Sequence, residues 1–444
     1  MANAPLNRRQ FMQRMGLAAG AAALPTIIPA SALGNGPLPA PSDRVTMGFI
    51  GMGSMGMGNL NGFIQKEDVQ VVAVCDVNRE GDNYAGSGMR GREPSRQFVE
   101  QTYAERTASG TYKGCDAYAF FWQVLERDDI DAVCLALPDH WHAYMAVAAA
   151  EAGKDMYSEK PLARTIYEGR QMVHAVRRHN RVFQTGSQQR SDARFRHACE
   201  LARNGYLGEI QKVYARVGGI SKPCPLGEEQ VPDGFLYEMW LGNAPTAPYH
   251  PERVSGKYNT ETGTWRAWRP YSAGHVSDWG AHNFDIAHWG LGMDGTGPVK
   301  IMAAAEADEN ELTLYYPNGI PVIKKEGPHE GMVQFIGTEG WVGVSRGDIW
   351  ASDERLLTLE MKPSDTHLYK SDDHRRDFLN CVKTRQRPIC DVEIGHSSLT
   401  ACLLSEIAMR LGRSLVWDPQ KEDFVGDEEA SRLLTREMRG PWIV

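Results

Sequence analysis

Two residues of complementary chemistry, Asp278 and His282, stand four positions apart in the stretch Asp278-Trp279-Gly280-Ala281-His282. If this segment is helical, both side chains lie on one face, where the carboxylate can orient the imidazole or hold a substrate hydroxyl. Imidazole titrates near neutral pH and is therefore the natural acid or base of such a pair. The spacing predicts a site of proton transfer.

Two other interpretations of this pair stay open. Asp285 and His288 follow closely, so four potential metal ligands fall within eleven residues. Nothing elsewhere completes a recognisable ligand set, and we therefore predict no metal. His282 on a tryptophan-flanked apolar helix could also be a core histidine with no chemical role.

A glycine motif near the N-terminus predicts a dinucleotide site. Gly51-Met52-Gly53-Ser54-Met55-Gly56 follows an apolar strand-like run, and a helical stretch follows the motif. In this context the first glycine permits the tight turn, the second lets the backbone approach a pyrophosphate, and the third packs helix on strand. The helix N-terminus then faces the phosphates with its positive dipole end.

Asp76 bears on which dinucleotide is bound. It ends the second strand-like run, about 20 residues beyond the glycines, where a carboxylate can accept the ribose hydroxyls. The sequence therefore favours NAD, because a 2′-phosphate would be repelled. Arg79 could accommodate that phosphate, so NADP is not excluded.

The chain alternates between strand-like and helical runs up to residue 186, which predicts parallel βαβ units. A polar segment over 76–116 is interpreted as an inserted loop with part of a helix. Beyond residue 186 the regular alternation of strands and helices ends. An irregular stretch rich in Pro, Gly, Trp and Tyr follows over 221–273. The predicted strands are 45–50, 69–75, 131–137, 155–158, 181–185, 211–218, 299–305, 312–316 and 340–345, and the predicted helices are 142–152, 167–178, 195–204, 374–384 and 397–410.

Composition sets limits on function. The chain has 444 residues, 42% of them hydrophobic, and a formal net charge of -8. This length predicts two globular domains. The acidic balance disfavours nucleic acid as the main partner, since phosphate binding needs clustered Lys and Arg. No C-x-x-C pair occurs among the eight cysteines, so they are predicted to be core thiols.

The first residues predict export. Arg8 and Arg9 precede an apolar, Ala-rich run over 15–28 and the small triplet Ala30-Ser31-Ala32, a pattern similar to a twin-arginine signal. We expect a signal peptide over 1–32 and a periplasmic mature protein without a stable membrane span. The expected organisation continues with a linker over 33–43, a Rossmann domain over 44–186 and a second domain over 187–444.

Two further motifs carry a family resemblance. Ser158-Glu159-Lys160-Pro161 follows the fourth strand-like run, and Gly274-His275-Val276-Ser277-Asp278 opens the Asp278/His282 pair. With the glycine motif they resemble the glucose-fructose oxidoreductase, inositol dehydrogenase and rhizopine-catabolism family (Gfo/Idh/MocA). The chain departs from it where many members show Gly-Gly, because Ala273-Gly274 stands there.

The resemblance implies an α/β Rossmann domain followed by an α+β domain with a large, mostly antiparallel open sheet that commonly forms an oligomer interface. It also implies that Lys160 lies beside the nicotinamide and the substrate hydroxyl, with Asp278 and His282 as its catalytic partners. Glu159 belongs to the same motif. We expect a homo-oligomer, a dimer or a tetramer.

Further candidates come from position in the predicted sheet. Pro138 and His142 follow the third strand and Gln188 follows the strand ending at Thr185, at the carboxyl edge that holds cofactors. Substrate candidates combine aromatic faces with charged donors, although a buried interface strip would look the same. They are Arg190, Arg266, Trp268 and Tyr271.

Together these features predict an NAD(P)-dependent oxidoreductase acting on a secondary hydroxyl of a sugar, cyclitol or sugar derivative. Removing hydride needs a base for the hydroxyl proton and a charge to stabilise the alkoxide. Export argues for a bound, recycled cofactor. The alternatives are an NAD-dependent glycoside hydrolase that oxidises C3 transiently, and a non-catalytic sugar or cofactor sensor.

Overall fold

The computed structural model describes residues 40–106, 110–257, 264–325 and 331–444. The predicted signal peptide over 1–32 lies outside the described residues, as does most of the predicted linker. Pro41–Asp43 of that linker forms a 3-10 turn.

The N-terminal part is a six-stranded sheet in the order β3-β2-β1-β4-β5-β6, with every neighbouring pair parallel. This order is that of a doubly wound Rossmann fold and confirms the predicted fold class. The strands are β1 (Val45–Ile50), β2 (Val69–Cys75), β3 (Asp116–Tyr118), β4 (Ala132–Leu135), β5 (Asp155–Ser158) and β6 (Phe183–Thr185). The helices are α1 (Ser54–Ile64), α2 (Arg92–Arg106), α3 (Trp122–Leu125), α4 (Asp139–Glu151) and α5 (Ile166–Arg178).

Local chemistry explains these boundaries. β1 and β4 are almost wholly buried because helices cover both faces of the sheet, which is why each reads as a continuous apolar run. Helix α4 begins three residues earlier than predicted, at Asp139 directly after Pro138. The polar segment over 76–116 divides into an irregular loop over 76–91, helix α2 and the edge strand β3.

A second sheet has nine strands in the order β13-β12-β11-β7-β10-β9-β8-β14-β15. All its pairs are antiparallel except β7 with β10, which confirms the predicted mostly antiparallel sheet. Its strands are β7 (Ile210–Ala215), β8 (Lys300–Met302), β9 (Thr313–Tyr315), β10 (Pro321–Lys324), β11 (Val333–Gly337), β12 (Trp341–Ser345), β13 (Asp348–Ala351), β14 (Leu415–Asp418) and β15 (Asp423–Phe424).

Within the described residues, seven helices follow the first sheet. They are α6 (Ala193–Arg203), α7 (Tyr237–Leu241), α8 (His275–Asp278), α9 (Gly280–Leu291), α10 (His374–Thr384), α11 (Val392–Leu411) and α12 (Glu428–Ser431). Phe195 of α6 and Phe284 of α9 share a buried cluster with Val213 of β7, so these helices cover one face of the second sheet. Short 3-10 turns lie at Gln188–Ser191, Trp265–Ala267, Ala304–Glu306, Glu354–Thr358 and Arg432–Leu434.

Helix α10 completes the Rossmann core although it belongs to the C-terminal part of the sequence. Phe378 packs edge-on against Phe63 of α1, with ring centroids 6.0 Å apart. On the same helix, Arg376 donates two hydrogen bonds of 2.7 Å to Asp68. The core of the first sheet is therefore built by residues more than 300 positions apart.

The cysteines confirm the expectation of core thiols. All eight lie in described residues and are free, and seven of them are buried, Cys224 alone being half-buried. Within the described ranges, no helix is long and apolar enough to cross a membrane.

Candidate active site

The glycine motif forms the turn between β1 and α1, and its backbone leaves no room for side chains. Gly51 has φ +90°, and a Cβ there would lie 2.3 Å from the carbonyl oxygen of Ala136. A Cβ on Gly56 would lie 1.9 Å from the carbonyl oxygen of Gly51. Glycine is required at both positions, the first for its left-handed backbone and the second for the close approach of helix and turn.

A cavity of about 330 Å³ opens over this turn. It lies outside the carboxyl ends of β1, β2 and β4, next to the switch in strand order, which is where such sheets bind ligands. The tight glycine turn and the start of α1 fit a dinucleotide pyrophosphate. Of the predicted residues, Gly51, Gly53, Ser54, Met55, Asp76, Pro138, Glu159, Lys160 and Arg266 line the cavity.

Asp76 is held by the backbone around it. Its carboxylate accepts hydrogen bonds from the amides of Met52 at 2.5 Å and Asn78 at 2.7 Å. Burial raises the pKa of Asp76 to about 6, against the effect of these donors. Arg79 is exposed and is not among the described residues that line the cavity. This arrangement favours NAD, since the cavity holds a carboxylate where NADP would bring a phosphate.

Two predicted cofactor residues lie behind the cavity wall. The His142 ring is within hydrogen-bond distance of the carbonyl oxygens of Pro161, at 2.6 Å, and Leu137, at 2.9 Å. It therefore ties together the loops after β4 and β5. Gln188 reaches Glu159 only at 3.5 Å, whereas Asn59 donates to the same Glu159 oxygen at 2.9 Å. His142 and Gln188 shape the site from behind the residues that face it.

Lys160 is the charged centre of the site. It follows β5, and the peptide bond to Pro161 is cis. Its Nζ donates hydrogen bonds to Asp278 twice, to Oδ1 at 2.6 Å and to the main-chain carbonyl at 2.7 Å. Lys160 also lines the cavity, so the ion pair joins the dinucleotide site to the C-terminal part of the chain.

Asp278 and His282 lie on consecutive short helices, not on one continuous helix. Asp278 ends α8, Trp279 interrupts, and His282 lies in the first turn of α9. Burial alone would raise the pKa of Asp278, but Lys160 and Arg266 hold it below its ordinary value. Burial and the charge of Lys160 lower the pKa of His282 well below its usual range, so its imidazole is neutral. Its Nδ1 is buried and has no hydrogen-bond partner among the described residues.

Asp139 is a further buried carboxyl that the sequence interpretation missed. It begins α4, next to Ser272, and Arg266, Asp278 and Lys160 are the charged groups around it. Burial raises its pKa to about 7, against these neighbouring donors and cations. Its position directly after Pro138, at the carboxyl end of β4, was the signal that could have identified it.

The four predicted substrate residues separate into three groups. Arg266 lines the cavity and its Nε lies 3.4 Å from Asp278 Oδ1. Trp268 and Tyr271 instead pack in a buried aromatic cluster behind the cavity. Arg190 is only 1% exposed, pairs with the carboxylates of Asp285 and Asp294 and is not among the described residues that line the cavity, so its burial disfavours the predicted contact with substrate.

Asp285 and His288 have structural partners. Asp285 accepts from Arg190 and from the hydroxyl of Ser398, the latter at 2.7 Å. The His288 ring lies 2.5 Å from the hydroxyl of Tyr316. These two residues therefore belong to the packing of α9 and not to the group around Lys160.

The fold and this site define a class, the NAD-binding Rossmann oxidoreductases. Residues 45–187 match the family described as oxidoreductase family, NAD-binding Rossmann fold, and residues 221–444 match its C-terminal alpha/beta domain. The chain belongs to the Gfo/Idh/MocA oxidoreductase family, as the three motifs predicted.

Curated relatives match over part of their length. The chain is 34% identical over 186 residues to a glycosyl hydrolase family 109 protein of Shewanella pealeana, covering 39% of this chain and 37% of that protein. It is 33% identical over 134 residues to an alpha-N-acetylgalactosaminidase of Shewanella oneidensis, covering 30% of this chain and 26% of that protein. The match thus spans well under half of these relatives.

Solved structures share the fold over most of the chain. The WlbA dehydrogenase from Bordetella pertussis, in complex with NADH and UDP-GlcNAcA, has a TM-score of 0.55 and 18% identity, covering 84% of this chain and 99% of that one. An aldose-aldose oxidoreductase from Caulobacter crescentus, complexed with glycerol, has a TM-score of 0.54 with the same identity and coverage.

Proposed function

We propose that this protein uses NAD to oxidise a secondary hydroxyl of a carbohydrate, with the cofactor kept bound between turnovers. The observation that carries the proposal is the position of Lys160, which lines the dinucleotide cavity and at the same time bonds Asp278 of the C-terminal part. The ammonium of Lys160 is therefore placed to act on a substrate that lies next to the bound cofactor.

The chain's own residues supply what alcohol oxidation needs. The ammonium of Lys160 has three hydrogens, and Asp278 takes two of them, which leaves one donor for a substrate hydroxyl. That donor stabilises the alkoxide as the hydroxyl proton leaves. We assign the proton to His282, which is neutral and whose buried Nδ1 has no hydrogen-bond partner among the described residues. When bound, NAD accepts the hydride from the carbon that carried the hydroxyl.

Lys160 and Arg266 lower the pKa of Asp278, so the carboxylate between them is negatively charged. Asp278 remains ionised, so its carboxylate fixes the direction of the Lys160 side chain. The planar guanidinium of Arg266 lies over Trp265 at 4.1 Å, and both line the cavity. An aromatic face with a charged donor suits the apolar and hydroxylated faces of a sugar ring.

The names of the matched relatives favour a second candidate, an NAD-dependent glycoside hydrolase. Here the same oxidation at C3 acidifies the C2 proton, and elimination then breaks the glycosidic bond. Addition of water and return of the hydride give net hydrolysis with no net redox change. Lys160 and His282 would serve the oxidation step in either case.

Purified protein loaded with NAD distinguishes the two candidates when free sugars and aryl glycosides are added separately. A lasting rise in NADH absorbance with a free sugar supports the oxidoreductase. Release of aglycone without a lasting rise supports the hydrolase. No response to any sugar or glycoside, in protein shown to hold NAD, would argue against both.

Export is part of the proposal and rests on Arg8 and Arg9, which lie outside the described residues. A periplasmic enzyme has no free NAD pool, which is why we propose bound and recycled cofactor. The expected homo-oligomer stays a prediction.

A further inference from the structure

Two segments that are distant in the sequence join to form the outer wall of the cavity. We call residues 76–91 and 232–256 together the cover. Their backbones are hydrogen-bonded to each other, from Leu236 to Val77 at 3.0 Å, from Arg79 to Gly234 at 2.9 Å and from Gly256 to Asn83 at 3.0 Å. The part of the Pro/Trp-rich stretch over 232–256 thus has a defined position, opposite the glycine turn.

The cover closes directly over the glycine turn. The hydroxyl of Ser54, at the start of α1, donates to the carbonyl of Ala85 at 2.6 Å. The Tyr84 ring is so close to Gly53 that a Cβ there would lie 3.1 Å from it. Burial raises the pKa of the Tyr84 hydroxyl, as expected for a side chain inside the wall. Cavity-lining residues of the second segment are Pro232, Phe235, Met239, Trp240, Tyr249, Val254 and Gly256.

The end of the chain fastens the cover from outside. We call residues 435–444 the tail. Arg439 donates to Glu238 Oε2 at 2.8 Å and to the carbonyl of Gly242 at 2.9 Å, both in the cover. Its amide donates to the carbonyl of Asn243 at 3.0 Å. Arg436 adds a bond of 3.0 Å to the side chain of Asn243.

The tail also supports two aromatic residues of the cavity wall from behind. Trp442 packs against Phe121 with ring centroids 5.6 Å apart and against Trp141 at 5.5 Å. Both partners line the cavity on their other side. The tail therefore contacts the cover and the Rossmann part of the wall at once.

We propose that the cover is a second cofactor-binding wall and that the tail locks it, so that NAD leaves only when the tail and cover separate. This inference rests on the bound cofactor of the proposed function. The glycine turn holds one side of the cavity and the cover encloses the other, which slows dissociation more than it changes association. Retention of this kind is what a recycled cofactor requires.

The test measures cofactor dissociation and needs no substrate. Protein loaded with NADH is mixed with excess NAD, and the loss of bound-NADH fluorescence gives the dissociation rate. The variants are Arg439→Ala and a truncation that ends at Met438, which keeps Arg436. We expect dissociation about tenfold faster in Arg439→Ala and faster still in the truncation. Arg413→Ala is the matched control, because Arg413 is likewise an arginine held by carboxylates, but its partners Asp427 and Glu429 lie in neither the cover nor the tail.

Unchanged dissociation in Arg439→Ala, with a circular dichroism spectrum like that of the wild type, would overturn the proposal even if the truncated chain fails to fold. Hydrogen exchange gives an independent check, since NADH should protect the amides of 232–256 in the wild type, and no protection there would also overturn it. If NADH is retained and the variants release it faster while no sugar reacts, the cover stands and the proposed activity fails.

Discussion

Two buried ion pairs lie within seven residues of each other along α8 and α9, and they differ in what surrounds them. Lys160 meets Asp278 at 2.6 Å, and Arg190 meets Asp285 at 2.8 Å. The side chain of Lys160 keeps 12% of its surface exposed, whereas that of Arg190 keeps 1%. The first pair borders the cavity, and the second is sealed between helices.

The pairs also differ in how far their donors are satisfied. Arg190 binds both oxygens of Asp285 and both of Asp294, and its guanidinium lies 5.2 Å from the centre of the Trp289 ring. Lys160 has one partner residue among the described part of the chain. A saturated buried cation has a structural role, and a cation with a spare donor beside a cavity is available for chemistry. The comparison predicts that removal of Lys160 mainly lowers turnover, whereas removal of Arg190 mainly lowers stability.

The largest expected effect is on turnover in Lys160→Ala. We expect activity to fall by about 10²–10⁴-fold, because both alkoxide stabilisation and proton positioning are lost. NADH affinity should be unchanged, since the glycine turn and Asp76 are intact. Steady-state rates and an NADH titration measure the two effects, with Lys222→Ala as the control, because Lys222 is exposed and is not among the described residues that line the cavity. Full activity in Lys160→Ala would remove this lysine from the reaction.

Removal of Arg190 should affect stability first. Arg190→Met leaves Asp285 and Asp294 without their cation, and we expect a loss of about 3–5 kcal/mol in unfolding free energy. Lys160→Ala should lose less, because Asp278 keeps Arg266 at 3.4 Å. Urea denaturation of both variants gives the difference. Equal losses would mean that the contrast between the two pairs is wrong.

Asp139 extends the comparison to pH. Its pKa in the folded protein is raised to about 7, so between about pH 4 and 7 the folded chain binds more protons there than the unfolded chain. Its contribution to stability therefore falls as pH rises through that window. Asp139→Asn should be stabilised relative to the wild type more at pH 8 than at pH 5, by at most about 3 kcal/mol. Thermal unfolding at both pH values tests this, and a pH-independent difference would contradict the raised pKa.

The smallest effect is expected at the edge of the sealed pair. Ser398→Ala removes one hydrogen bond of 2.7 Å to Asp285. The loss should be about 1 kcal/mol, because Arg190 still satisfies the carboxylate. A modest fall in melting temperature with unchanged turnover is the expected result. A fall in turnover would mean that the Arg190–Asp285 pair is coupled to the group around Lys160.

Much of the fold could be predicted because its signals are local. β1, β2 and β4 are apolar runs of strand length, and the glycine turn follows β1 directly. β3 was missed because its three residues, Asp-Ala-Tyr, carry no pattern and pair only at the sheet edge. The docking of α10 on the Rossmann core could not be foreseen, since it depends on contacts across more than 300 residues.

Site residues that belong to a sequence motif could be predicted. Residues whose role depends on their packing partners could not. Lys160 and Asp278 meet as expected. Arg190 was assigned to substrate because the sequence does not show which arginine finds buried carboxylates. Asp139 was overlooked because its environment comes from Ser272 and Arg266, which lie over 120 residues away.

The distribution of thiols has a practical consequence. Seven cysteines are buried and burial raises the pKa of each, so they resist alkylation. Burial also raises the pKa of Cys224, but this cysteine is only half-buried and therefore more accessible, and its Sγ lies 3.1 Å from Nη1 of Arg253 in the cover. A fluorophore or spin label attached to Cys224, without any engineered cysteine, would report on opening and closing of the cover in solution.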